Sequence, residues 1–316
     1  MAIIEVKNLV KKYKKAQSNA VNDISFNVKA GEFFAFLGPN GAGKTTSISI
    51  LTTILSKTSG SITIDGLDID KDSSLIRQRV GIIFQKPSID LNLTAEENIR
   101  FHTILYGQYP FRPTFSSMPS SYKDKLIELS TIIGLKDEIF KPVKQFSGGM
   151  MRKLEIIRSL MHSPKILFLD EPTTGLDPES RRNLWDYIKT VKNTSGTTIF
   201  LTTHYLDEVE DADTVCIINK GIIVANASPE VIKSKIVKDY VFIHFNPTDR
   251  QKLEDQIKNL NYNYEISLEG LKVFISDYSE IKNLINGITV PVLNFEFHKP
   301  SLEDAYLRII KDNIDI

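Results

Sequence analysis

The sequence predicts an α/β protein: a largely parallel sheet wrapped by helices, followed by a smaller α+β domain. Three observations carry this prediction. A glycine-rich stretch, "GPNGAGKTT" at residues 38–46, lies between an apolar strand, "EFFAFL", and an apolar helix, "SISILTTIL". Further on, "KILFLD", a helix from about residue 179 to 192, and "TTIFLTT" give the strand–helix–strand order that builds parallel sheets. After Ile236 the chain turns to short strands and helices of a different character.

Taken in order, residues 3–37 alternate apolar and polar, as in "AIIEVKNL" and "ISFNVKAGEFFAFLG", which is a strand signature with a turn at Ala30-Gly31. The pattern becomes helical from Lys44 through Leu55. "GSITIDGLDI" reads as a hairpin and "VGIIFQ" as a buried strand. Residues 94–162 are mostly helical, broken by "GQYPFRPTFSSMPSSY" at residues 107–122, whose Pro, Ser and aromatic content predicts an irregular surface loop. A short helix starts near Ser228-Pro229. Beyond it, "DYVFIHF", "NYEISL", "LKVFIS" and "VLNFEF" read as strands, and "RQKLEDQIKNL", "SEIKNLI" and "SLEDAYLRIIK" as helices.

Composition narrows the function. The 316 residues are 41% hydrophobic and 25% charged, an ordinary globular balance with length for more than one domain. Lys+Arg and Asp+Glu are 39 each, so the net charge is zero and argues against a nucleic-acid partner or a polybasic membrane contact. Lys11, Lys12, Lys14 and Lys15 read as a solvated face. The single cysteine, Cys216, sits in the apolar run "TVCIIN"; it excludes an internal disulfide and points to a reducing compartment. No window approaches the ~20 apolar residues of a membrane-spanning helix.

Gly38, Pro39, Asn40, Gly41, Ala42, Gly43, Lys44 and Thr45 fit G-x-x-x-x-G-K-[ST] at every fixed position, with Thr46 following. Glycines let the backbone close around an anion with its N–H groups inward, and the helix that opens there adds its positive end. Lys44 is placed to reach the β- and γ-phosphates, and the Thr45 hydroxyl to ligate Mg²⁺. "KILFLDEP" ends a buried strand in two acids: Asp170 suits Mg²⁺, directly or through water, and Glu171 suits the base that activates water. A second small-residue turn, Ser147-Gly148-Gly149 in "QFSGGMMRKLEII", also runs into a helix and has the build of another phosphate site.

These motifs, in this order, resemble the ATP-binding subunits of ATP-binding cassette (ABC) transporters across residues 1 to about 232. The glycine-rich loop matches the Walker A motif, "ILFLD" Walker B, and residues 146–150 the family signature, with Phe146 and Met150 where Leu and Gln are commonest. "TGLDP" carries the D-loop Asp177, "GIIFQKPSID" the Q-loop Gln85, "TTHYLDE" the switch His204, and Tyr13 stands where the family places an adenine-stacking aromatic. The resemblance implies a P-loop NTPase core of RecA type, with an antiparallel β subdomain and a helical subdomain at about 94–158. The ATPase domain is expected at 1–232 and a C-terminal accessory domain at 237–316.

ATP and Mg²⁺ are the implied ligands. Gln85 would join Thr45 and Asp170 around the metal, and Glu171, Gln85 and His204 would serve hydrolysis. Ser147, Gly148 and Gly149 would close on the nucleotide of a second, head-to-tail subunit, expected to be another copy of this chain. A separate transmembrane permease is the implied partner, placing the protein peripherally on the cytoplasmic face of the membrane. "SPEVIK" at 228–233 and "KPSLEDAYLRII" at 299–310 resemble the ABC-2 type exporter branch. An importer ATPase and a soluble non-transport ABC protein are the alternatives.

Overall fold

In the computed structural model the chain divides into two compact units, residues 1–226 and 227–316. The structure describes residues 1–85, 88–236, 239–267, 270–277, 279–299 and 301–312. The expected start of the C-terminal domain at Val237, Pro300 of its last motif and residues 313–316 lie outside them.

The first unit begins with β1 (Ala2–Lys11), β2 (Val21–Lys29) and β3 (Phe33–Leu37). Next come α1 (Lys44–Leu51), the hairpin β4 (Ser59–Ile64) and β5 (Leu67–Asp68), α2 (Ser73–Arg79) and β6 (Val80–Ile83). The helices α3 (Ala95–Leu105), α4 (Ser120–Ile132) and α5 (Gly148–Leu160) follow. Then come β7 (Ile166–Asp170), α6 (Pro178–Ser195), β8 (Thr198–Thr203), β9 (Thr214–Asn219) and β10 (Ile222–Ala227).

β2, β1, β4 and β5 form a four-stranded antiparallel sheet, in that order. The central sheet has the order β10-β9-β3-β8-β7-β6 and is parallel from β9 through β6. Every residue of β3, β7 and β8 is buried, as expected of strands covered on both faces. Phe200 stacks on Phe34 and meets Phe168 at a tilt, each with ring centroids 5.2 Å apart, and Phe26 stacks on Phe34 from the antiparallel sheet. One core therefore fixes the carboxyl ends of β3, β7 and β8, where a doubly wound sheet places its ligand.

Two local expectations need correction. The helix expected to run through Leu55 stops at Leu51, because Thr53 adopts φ 62° and the Ile54 N–H turns back to the Ser49 carbonyl at 2.9 Å. The 107–122 loop is not all surface. Its last residues, from Ser120, open α4; Tyr122 is fully buried and its hydroxyl donates to Glu96 at 3.0 Å. Arg100 donates to the carbonyls of Arg112 and Pro113 at 2.9 and 2.8 Å, so the segment is pinned to α3.

The second unit contains α7 (Pro229–Ile236), β11 (Tyr240–Phe245), α8 (Arg250–Asn259), β12 (Tyr264–Ile266) and β13 (Leu271–Phe274). It ends with α9 (Ser279–Gly287), β14 (Val292–His298) and α10 (Leu302–Asp312). Its antiparallel sheet has the order β12-β13-β11-β14 and shares a core with α8 and α9 through Val241, Ile243, Leu253, Ile257 and Leu284. α7 packs against α10, and both fall within the second unit.

Candidate functional site

The loop between β3 and α1 is shaped by its glycines. A side chain at Gly38 would put its Cβ 2.2 Å from the Ile218 carbonyl, and Gly43 has φ 111° with the Ala20 carbonyl 2.6 Å from where a Cβ would stand. No other residue type satisfies both constraints. Lys44 folds back under the loop. Its ammonium donates to the carbonyls of Gly38 (2.7 Å) and Pro39 (3.2 Å) and pairs with Glu171 at 3.3 Å. Burial pulls the Lys44 pKa below its usual value, against the opposing charges of Glu171 and Asp170.

The loop borders a cleft of about 540 Å³ lined by Asn40, Gly41, Gly43, Lys44, Thr45 and Thr46, with Gln85, Glu171, Thr174 and His204 across from them. Glu171 stands at its centre. Gln85 donates to its carboxylate at 3.2 Å, Thr174 at 3.4 Å, and the His204 Nδ1 lies 3.3 Å away. Glu171 adopts φ 46°, a conformation that costs a non-glycine residue roughly 1 kcal/mol or more. Its N–H donates to the Thr202 carbonyl at 3.0 Å, and Pro172 disfavours the right-handed helical alternative. The strand end thus turns this carboxylate into the cleft.

Asp170, one residue earlier, is buried and accepts from the Thr202 hydroxyl at 2.6 Å; burial raises its pKa, partly offset by that hydrogen bond. Gly38, Pro39 and Ala42 do not line the cleft. The first two supply carbonyls to Lys44, and Ala42 is buried, its carbonyl accepting from Gly221 at 2.9 Å. Tyr13 lies at the loop's far end, its hydroxyl 3.3 Å from that of Thr46 and its ring half-exposed.

Ser147, Gly148, Gly149 and Asp177 do not line this cleft either. They form a second constellation. Ser147 caps α5 by accepting from the Met150 N–H at 3.2 Å. Asp177 caps α6, accepting from the N–H groups of Glu179 and Ser180 at 3.1 and 2.9 Å. The two helix starts nearly touch: a Cβ on Gly149 would meet the Ser180 hydroxyl at 2.8 Å. Ser147 and Gly148 are exposed, so this face presents backbone N–H groups outward.

Three supporting groups were not evident in the sequence. Thr202 holds Asp170. The buried Glu208 accepts from Thr173, near Glu171, and from Thr203, beside His204, so one carboxylate ties the loops after β7 and β8. Arg152 on α5 grips the backbone at Gln85. Only long-range contacts reveal them.

For a metal, Thr45, Gln85 and Asp170 offer a hydroxyl, an amide and a carboxylate, the oxygen donors that a hard divalent cation takes. Among the described residues no group of three or more His, Cys, Asp or Glu could hold a metal.

A glycine-rich loop on a parallel sheet and a strand-end carboxylate pair in one cleft define a P-loop nucleotide hydrolase, with a separate small-residue turn exposed outside that cleft. The comparisons narrow this class. The ABC transporter family model matches residues 21–174. The chain is 33% identical over 311 residues to the Nod factor export ATP-binding protein I of Burkholderia lata, covering 98% of this chain and 97% of that one. It is 38% identical over 234 residues to the daunorubicin/doxorubicin resistance ATP-binding protein DrrA of Streptomyces peucetius, covering 74% of this chain and 67% of that one. A nucleotide-free ATP-binding cassette from an ABC transporter superposes with a TM-score of 0.65 at 26% identity, over 74% of this chain and 94% of that one. The chain belongs to the ABC transporter family, as an ATP-binding subunit.

Proposed function

We propose that this chain hydrolyses Mg-ATP to power export through a separate transmembrane permease, and that two copies pair head to tail around the nucleotides. The observation that carries the pairing is the placement of Ser147, Gly148 and Gly149 off the cleft that holds Lys44 and Glu171. A turn that offers N–H groups outward can serve a phosphate held by another chain. ATP then rewards both surfaces through its γ-phosphate, whereas ADP rewards one, so ATP favours the closed pair.

Within the cleft, Asn40, Gly41 and Gly43 wrap the phosphates and Lys44 pairs with them. Thr45, Gln85 and Asp170 would hold Mg²⁺, which supplies charge neutralisation on the phosphates. Glu171 takes the proton of the attacking water, and His204 contacts the γ-phosphate. Tyr13 stacks on the base. Similarity to the Nod factor and daunorubicin export subunits supports an exporter and a permease partner. Attachment is peripheral, through that permease on the cytoplasmic face; no helix among the described residues is long and apolar enough to cross a membrane.

The test is the solution mass of Glu171→Gln by light scattering. A dimer with Mg-ATP and a monomer with Mg-ADP is expected, with ATP turnover reduced by at least ~100-fold. A variant that turns over ATP normally removes Glu171 as the base. A monomer with both nucleotides removes the ATP-closed pair of isolated subunits.

A further inference from the structure

The mechanism above leaves a buried charge cluster on α5 without a role. Arg152, 3% exposed, points its guanidinium at the chain leaving β6: it donates to the carbonyls of Phe84 at 2.5 Å and Gln85 at 2.6 Å. Glu155, fully buried, holds that guanidinium at 2.6 Å and accepts from the Ser88 N–H at 3.1 Å. One turn further, Arg158 donates to the carbonyl and hydroxyl of Ser88 at 2.5 and 2.7 Å. The backbone on both sides of the Gln85 turn is therefore gripped by a single helix.

That helix begins at the turn containing Ser147. Ser147 and Arg152 are five residues apart, about 7 Å along a rigid helix. Gln85 lies on the other side of the grip, lining the nucleotide cleft with its amide on Glu171. Buried charges carry a large desolvation cost, so an Arg–Glu–Arg cluster is a poor choice if packing alone is needed. Its bidentate geometry on two successive carbonyls fixes orientation, which a lysine's single point charge does not.

We propose that Arg152 is a positioning residue that sets Gln85 against Glu171 according to the seating of the Ser147 turn, so that each subunit's outward jaw controls its own hydrolytic centre. The proposal rests on the reading that this turn engages a second subunit. It adds a direction of communication: closure felt at the start of α5 is delivered to the cleft of the same chain through Arg152 and the backbone of Gln85.

The experiment is a double-mutant cycle on the full chain with Arg152→Lys and Gln85→Ala. Arg152→Lys keeps a cation for Glu155 and loses the two-carbonyl grip. Its expected effect is a tenfold or greater fall in kcat, with KM for ATP and the Kd for a fluorescent ATP analogue changed less than twofold. The double variant is expected to be no slower than Gln85→Ala alone, because Arg152 acts through Gln85. In the Glu171→Gln background, Arg152→Lys should still dimerise with Mg-ATP, which separates loss of communication from loss of the jaw. Failure of Glu171→Gln itself to dimerise would count against the two-subunit reading, while the cycle would still report on the grip.

Multiplicative losses in the double variant, or a kcat for Arg152→Lys within twofold of the parent, would overturn the proposal. Should Arg152→Lys fail to fold by thermal melting, Glu155→Gln loosens the same guanidinium at constant volume. The cycle with Gln85→Ala then gives the same two outcomes.

Discussion

Glu208 shows how a single side chain acquires a role that its sequence neighbours do not announce. Its carboxylate is buried between the hydroxyls of Thr173 and Thr203, and burial raises its pKa above the ordinary 4.5, with the two hydroxyl hydrogen bonds opposing. A raised folded-state value means that the folded protein holds this proton more tightly than the unfolded chain. Its contribution to stability is thus present below about pH 4.5 and is lost as pH rises through the folded value. Glu208→Gln cannot ionise. Thermal unfolding between about pH 5 and 8 should therefore show a smaller decline with pH in the variant than in the parent. Equal slopes would mean that the Glu208 pKa is raised no further than that of an exposed glutamate. Lys44 and Glu171 were legible because a fixed short spacing encodes them. Glu208 and Arg152 were not, because the partners that tie them to the cleft, Thr173 and Gln85, lie 35 and 67 residues away.

Elements were read well where one physical signal dominated. β3, β7 and β8 are continuous apolar runs, and the structure buries every residue of each. Boundaries set by a few hydrogen bonds were less visible: α1 ends early at Thr52, and Tyr122 is drawn from an apparent surface loop into the core by a bond to Glu96. The start of α3 is a case where local chemistry decides. Thr94 accepts from the Glu97 N–H at 3.2 Å, and the Glu97 carboxylate accepts from the Thr94 N–H at 2.8 Å, closing a reciprocal capping box. Those bonds also hold the Glu97 carboxyl below its usual range. Thr94→Ala should cost about 1 kcal/mol of stability, read as a lower urea midpoint with an unchanged slope. An unchanged midpoint would mean that tertiary packing alone fixes where α3 begins.

At the scale of the molecule, all the residues assigned to the nucleotide and to the outward turn fall in residues 1–226, and the core beneath them is built from that unit's own strands and helices. The second unit has a separate core centred on β11, β13, α8 and α9. The sequence pattern changes after Ile236, while the contacts divide the chain after residue 226, because α7 packs on α10, some 70 residues later. Two independent cores predict that the chemistry is separable. A chain ending at Ser228 retains β10 and every site residue. It should fold, bind a fluorescent ATP analogue within about threefold of the full chain and, carrying Glu171→Gln, still dimerise with Mg-ATP but not with Mg-ADP. Retained binding with lost dimerisation would make the second unit part of the pairing device. Loss of binding itself would show that the nucleotide cleft depends on residues beyond its own core.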